Sequence, residues 1–124
     1  MDIKKIQTNS IIILRVGLAL VFLAHFYIAV FNPDEFVNLI NGSFLPHTFI
    51  NDPDLLVKLI AISDVAVAVL LLFGFGLKYI SAYASLWILG VIVVSGIEDP
   101  PDFFEHLGFL SIAVFLFLNY NNKT

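Results

Sequence analysis

The sequence predicts an all-α integral membrane protein, a four-helix bundle with both termini cytoplasmic. Three observations predict it. The 124-residue chain is 60% hydrophobic and only 13% charged, against roughly 45–50% and about 25% in soluble domains. A chain of this length is one domain at most, and it cannot hide so much apolar surface from water, so lipid must solvate much of it. Four runs reach or approach the roughly 20 apolar residues that cross a bilayer as a helix. Finally, lysine and arginine collect on one side of those runs.

The four runs span about 10–31, 55–75, 77–97 and 103–120. They read as helices because open strands would leave backbone groups unpaired in hydrocarbon. A closed barrel is excluded, since the runs are continuous rather than alternating. Lys4 and Lys5 ahead of an apolar run could suggest a signal peptide, but the first run is long, is interrupted by Arg15, and three more spans follow. It is read as a retained helix.

The connections carry their own punctuation. In "NPDEFVNLING" (32–42), Asn32 is a candidate N-cap, Pro33 takes the first helical position, Glu35 falls at the capping-box position and Asn41-Gly42 makes a stop. Phe36, Val37, Leu39 and Ile40 form one apolar side, which predicts a short helix over about 33–41 lying at the membrane surface. "NDPD" (51–54) and "EDPPD" (98–102) place acid and proline ahead of apolar runs, with negative charge at the positive end of the helix dipole. Neither has the ligand periodicity of a calcium loop. "FGFG" (73–76) is the tight turn between the second and third spans.

Orientation follows from the basic residues. Lys4, Lys5, Lys78 and Lys123 share one side if there are four spans. The other side holds Asp34, Glu35, Asp52, Asp54, Glu98, Asp99 and Asp102, with only Lys58 near it. The positive-inside rule then puts the termini in the cytoplasm of a multi-pass cell-membrane protein and two acidic loops outside.

Five polar residues fall within or near the spans: Arg15, His25, Asp64, Glu105 and His106. A rise of about 1.5 Å per residue puts Arg15 roughly 9 Å from the inner edge, Asp64 about 18 Å, His106 about 21 Å and His25 about 24 Å. Glu105 lies beside His106, near the outer boundary. Arg15 can snorkel to the headgroups. His25 can be a neutral core imidazole, and Glu105 and His106 can be solvated at the interface. Asp64 is too short to snorkel and its neighbours offer little beyond Ser63, while a central Asp costs roughly 2.5–3.5 kcal/mol on insertion scales. It must be paired, protonated or lining a wet cavity, and by depth it could reach Arg15 or His25.

The absence of cysteine excludes disulfides, thiol catalysis, Cys-ligated zinc and iron–sulfur clusters. His25 and His106 at similar depth are what two axial haem ligands require, but such agreement comes easily when the chain has three histidines. No metal site is assigned. The net charge of −4 argues against nucleic acid. Ser81 and Ser85 form a small-xxx-small pair suited to helix packing. Tyr79, Tyr83 and Tyr120 suit interfacial anchoring, whereas Trp87 lies deep for that role. There is no phosphate loop, no G-x-S-x-G and no repeated half.

Together these stretches resemble the DoxX/DoxD-like family of small four-helix integral membrane proteins. "LRVGLALVFLAH" is similar to the family's first span, where an arginine leads into an apolar run ending in His-Gly with a lysine nearby. "NPDEFVNLINGSFLP" resembles its P-x-x-F…G-x-P connection. "ISDVAVAVLLLFGFGLKYISAYASL" resembles its second span, with an acidic residue, an L-x-x-G turn and a basic residue. "FFEHLGFLSIAVFLFL" resembles a last span opening on glutamate. The likeness covers nearly the whole chain and carries over Arg15, His25, Asp64, Lys78 and Glu105. Phe26 stands where the family often has glycine, Ala29 where it has lysine, and Asp64 where glutamate is commoner. The resemblance therefore does not carry over an anion site built on that lysine.

The resemblance implies a membrane subunit of a redox or oxidative-stress complex, at most a subunit of a quinone-linked oxidoreductase, since some family members are named for one. In this expectation Arg15, His25, Asp64 and Glu105 line a polar interior that holds a quinone headgroup or passes protons, with Asp64 exchanging the proton and His25 donating or relaying. A quinone is favoured over haem. With no redox-metal ligand set and no nucleotide motif, the chain is not expected to be an enzyme alone. Two alternatives stand beside this: a non-catalytic scaffold whose polar residues fix helix register and hold partner proteins, and a small proton-coupled transporter. The transporter lacks the repeats and broken helices common in that class, and would be helped by homo-oligomerisation.

Overall fold

The computed structural model describes residues 2–45, 51–95 and 100–122. These residues form five α-helices and no strand: α1 (Ile3–Phe31), α2 (Pro33–Asn41), α3 (Pro53–Phe73), α4 (Leu77–Ser95) and α5 (Pro100–Leu118), followed by a 3-10 turn at Tyr120–Asn122. All but α2 are long and apolar enough to cross a membrane. Large side chains such as Ile13, Leu86 and Leu118 are each at least 70% exposed on their outer faces, which suits lipid and not water.

Local chemistry sets the helix ends. α1 starts seven residues ahead of the predicted span, because nothing between Ile3 and Ser10 breaks a helix and Asp2 caps it, accepting from Lys4 N–H at 3.0 Å. The expected capping box at Asn32 takes another form. The Asn32 N–H is already committed to Ile28 O at 2.8 Å, closing α1, so Glu35 accepts instead from the Asn32 side-chain amide at 2.6 Å. One residue thus ends α1 and opens α2, whose first residue is Pro33. Gly42 stops α2 without entering the left-handed region (φ −78°).

Asp52 is an N-cap for α3, accepting from Leu55 N–H at 3.1 Å, with Pro53 and Asp54 in the first turn. α5 opens on Pro100 and Pro101, whose missing N–H groups would have had no helical partner there. Glu98 and Asp99, the start of that predicted signal, lie outside the described residues, as do residues 96–97 of the third predicted span and Lys123.

The helices pack as two antiparallel pairs, α1 with α3 and α4 with α5, which meet less closely through α1–α5 and α3–α4 contacts. Leu18, Phe22, Ala68, Leu71, Leu77, Ala84, Ala113 and Leu116 make the shared core. Ser81 is fully buried and its hydroxyl bonds back to Leu77 O, so with Ala84 and Ala113 it presents little bulk where α4 and α5 approach. Ser85 is only partly buried. α2 folds back over the other end of the bundle, where Ile40 packs with Ala29, Val57 and Ala61. A hydrogen bond of 2.7 Å between Ser63 and Tyr83 hydroxyls ties α3 to α4.

Candidate functional site

The looser seam between the two helix pairs opens, beneath α2, into a cavity of about 420 Å³ to which all five helices contribute. Apolar wall comes from Ile28, Phe36, Leu39, Ile40, Leu56, Ile60, Leu86, Val91 and Val94, and polar groups from His25, Glu35, Asp64, Ser95, Asp102 and His106, with Trp87 beside them. Among the described residues no lysine or arginine lines it. A mostly apolar hollow of this size with a few convergent polar groups is the usual form of a small-molecule site.

Asp64 lies midway along α3 and is 1% exposed. Its Oδ1 has no hydrogen-bond partner among the described residues. Among the described residues, the side-chain donor that interacts with the carboxyl is the Trp87 indole, across the cavity wall on α4. A buried carboxyl with an unmade hydrogen bond costs about 1–3 kcal/mol or more, so it is there against the interest of packing.

The two histidines meet. His25 on α1 and His106 on α5 lie ring to ring with centroids 5.8 Å apart and planes 12° from parallel. Phe36 abuts His25 edge-on at 6.4 Å, and Phe109 abuts His106 at 5.9 Å. His106 Nδ1 sits 2.8 Å from the backbone carbonyl of Asp102. A carbonyl only accepts, so Nδ1 carries the hydrogen and Nε2 is left as the acceptor of the neutral ring. The Asp102 carboxylate, 3.4 Å from the same nitrogen, holds the ring in that tautomer.

Arg15 is placed elsewhere. Its Nε donates to Leu71 O and its Nη2 to Leu72 O, both at 2.9 Å, so the guanidinium sits on the carbonyl end of α3, where the helix dipole favours a cation. The chain turns there through Gly74 (φ +72°), whose N–H bonds Leu71 O while Phe75 N–H bonds Leu70 O, a Schellman ending. A Cβ on Gly74 would lie 2.7 Å from the guanidinium carbon. Among the described residues no ion pair joins Arg15 to Asp64. Glu105 is exposed and does not line the cavity. Of the five polar residues singled out by sequence, the structure therefore brings three together, His25, Asp64 and His106.

Sequence reading missed Trp87, Glu35 and Asp102 as members of this site. Two signals could have found Trp87 and Asp102; none pointed to Glu35. Trp87 is ten residues into α4 and Asp64 nine residues from the end of α3, so each lies roughly 14–15 Å from their common turn. Asp102 stands four residues ahead of His106, the spacing of neighbours on one helix face. Among the described residues no three His, Cys, Asp or Glu side chains are grouped to hold a metal ion.

A family model described as DoxX matches residues 10–97. No curated protein and no solved structure matches the chain. The matched stretch covers well over half of the 124 residues and takes in Arg15, His25, Asp64 and the Gly74 turn; with its four membrane-spanning helices, the chain belongs to the DoxX family and is a multi-pass membrane protein.

Proposed function

We propose that this protein is a single-domain cell-membrane subunit of a redox or oxidative-stress complex, with both termini cytoplasmic, acting with protein partners rather than as an enzyme alone. Its working part is the cavity of His25, Asp64 and His106, which holds a quinone headgroup or passes protons. One observation carries the reading: Asp64 keeps an unpartnered buried oxygen on a cavity that it shares with two histidines. The residues suit such a headgroup, since apolar walls accept a ring, and His106 Nε2 and Asp64 Oδ1 can accept from the hydroxyls of its reduced form. His25, with no hydrogen bond among the described residues, can donate to a carbonyl of its oxidised form. When bound, the headgroup would supply two-electron chemistry.

Arg15 serves this site at a distance, by fixing the end of the helix that carries Asp64. The reading is tested by a reduced-minus-oxidised absorption spectrum, ultraviolet to visible, of protein extracted from native membranes in mild detergent. A quinone signal is expected at the level of one headgroup per chain. A flat spectrum from well-folded protein would move the weight to the scaffold reading, and partner capture would follow.

The orientation has its own test, made simple because the chain has no cysteine. Asp34→Cys will react with a membrane-impermeant maleimide in intact cells, and Lys78→Cys only after permeabilisation. The reverse pattern would invert the topology and place the mouth of the cavity on the cytoplasmic side.

A further inference from the structure

The polar atoms of the cavity are unequally divided between donors and acceptors. Asp64, Glu35 and Asp102 bring carboxyl groups and His106 brings Nε2, against the donors of His25, the Trp87 indole and the Ser95 hydroxyl, the last already given to Val91 O, and among the described residues neither lysine nor arginine lines the wall. Glu35 is partly engaged by the Asn32 amide, and Asp102 faces His106 Nδ1. Asp64 is different: it is buried, and its Oδ1 is unpartnered. Close to it stands the only tryptophan of the chain, stacked at 5.9 Å on Tyr83. The Phe36 ring adds a second aromatic face to the wall. An acceptor-rich hollow with an unpaired carboxyl, aromatic faces and long apolar walls asks for a ligand that brings N–H donors, positive charge and hydrocarbon together.

From this we infer that the cavity is a binding site for a lipophilic ammonium ion, a protonated amine bearing an aromatic or alkyl body. The N–H of such a ligand meets Asp64 Oδ1, its charge lies against the Trp87 indole, and its body fills the apolar wall formed by Leu56, Ile60 and Leu86. With no Lys or Arg among the described residues of its wall, the site rejects an anion of the same shape. This goes beyond the redox reading and does not rest on it: either ligand class can fail alone.

Trp87 makes the test direct, because all tryptophan emission reports from the cavity wall. Purified protein in a non-ionic detergent is titrated with three probes of one shape: 4-phenylbutylamine, 4-phenylbutan-1-ol and 4-phenylbutanoate. The amine is expected to perturb the emission with a Kd about tenfold or more below that of the alcohol, the ratio set by one charge-assisted hydrogen bond, and the carboxylate is expected to bind weakest. Asp64→Asn is expected to bring amine and alcohol to within about twofold of each other. Equal binding of amine and alcohol by the wild-type protein would overturn the assignment without recourse to any variant. So would an amine preference that survives in Asp64→Asn.

Discussion

Arg15→Met will lower the stability of the detergent-solubilised protein by about 1.5–3 kcal/mol, the range for hydrogen bonds to a charged group, although Arg15 touches nothing in the cavity. Its guanidinium is the side-chain donor for Leu71 O and Leu72 O; Leu71 O keeps the Gly74 N–H, but in surroundings without water Leu72 O, stripped of its side-chain donor, stays unpaired. Gly74→Ala will cost a similar amount by two routes. The left-handed backbone penalises any Cβ by roughly 1–2 kcal/mol, and that Cβ also strikes the guanidinium.

The second route exists only while Arg15 is present. In the Arg15→Met background, Gly74→Ala should therefore cost only the backbone penalty. The double variant will be more stable than the sum of the singles predicts, by about 1 kcal/mol, a coupling typical of residues in contact. Unfolding of the four proteins in mixed micelles measures this cycle. Strict additivity would return Arg15 to the headgroup layer and remove its hold on α3.

Asp64 will behave in the opposite way. Asp64→Asn and Asp64→Leu should both abolish whatever the intact complex does, measured as rescue of a deletion strain under oxidative stress, while leaving insertion and expression intact. Their effect on stability should be slight or favourable. The carboxyl has an unmade hydrogen bond and lies among apolar side chains. Exchanging a buried polar group that lacks a partner for a hydrocarbon of similar size can be nearly neutral or stabilising. Stability gained with function lost is the mark of a residue kept for a site. Under the scaffold reading the same variants would weaken partner binding with no redox phenotype.

Much of the fold is legible in the sequence because lipid leaves few choices. Continuous apolar runs must be helices, and Asp52-Pro53, Gly74 and Pro100-Pro101 say where α3 starts, where it stops and where α5 starts. The fine detail that escapes comes from shared groups. Asn32 cannot offer the same N–H to α1 and to Glu35, and only the folded chain shows which claim wins. The site is legible by chemistry but not by pairing. Depth along the helix axis places Asp64 within reach of Arg15 or His25, yet says nothing about rotation around it. The long side chain of Arg15 runs to the end of α3, and His25 turns toward His106 instead. Residues with an obvious local duty, such as Glu35 beside Asn32 and Asp102 in a helix start, conceal a second one in the cavity wall.

One measurement bears most directly on the claim that Asp64 is kept for what the cavity holds: thermal unfolding of Asp64→Leu beside the wild-type protein in the same detergent. If the claim holds, the variant melts at the same temperature or several degrees higher. A midpoint lower by about ten degrees or more would contradict it, and would make Asp64 a structural residue that joins the helix pairs.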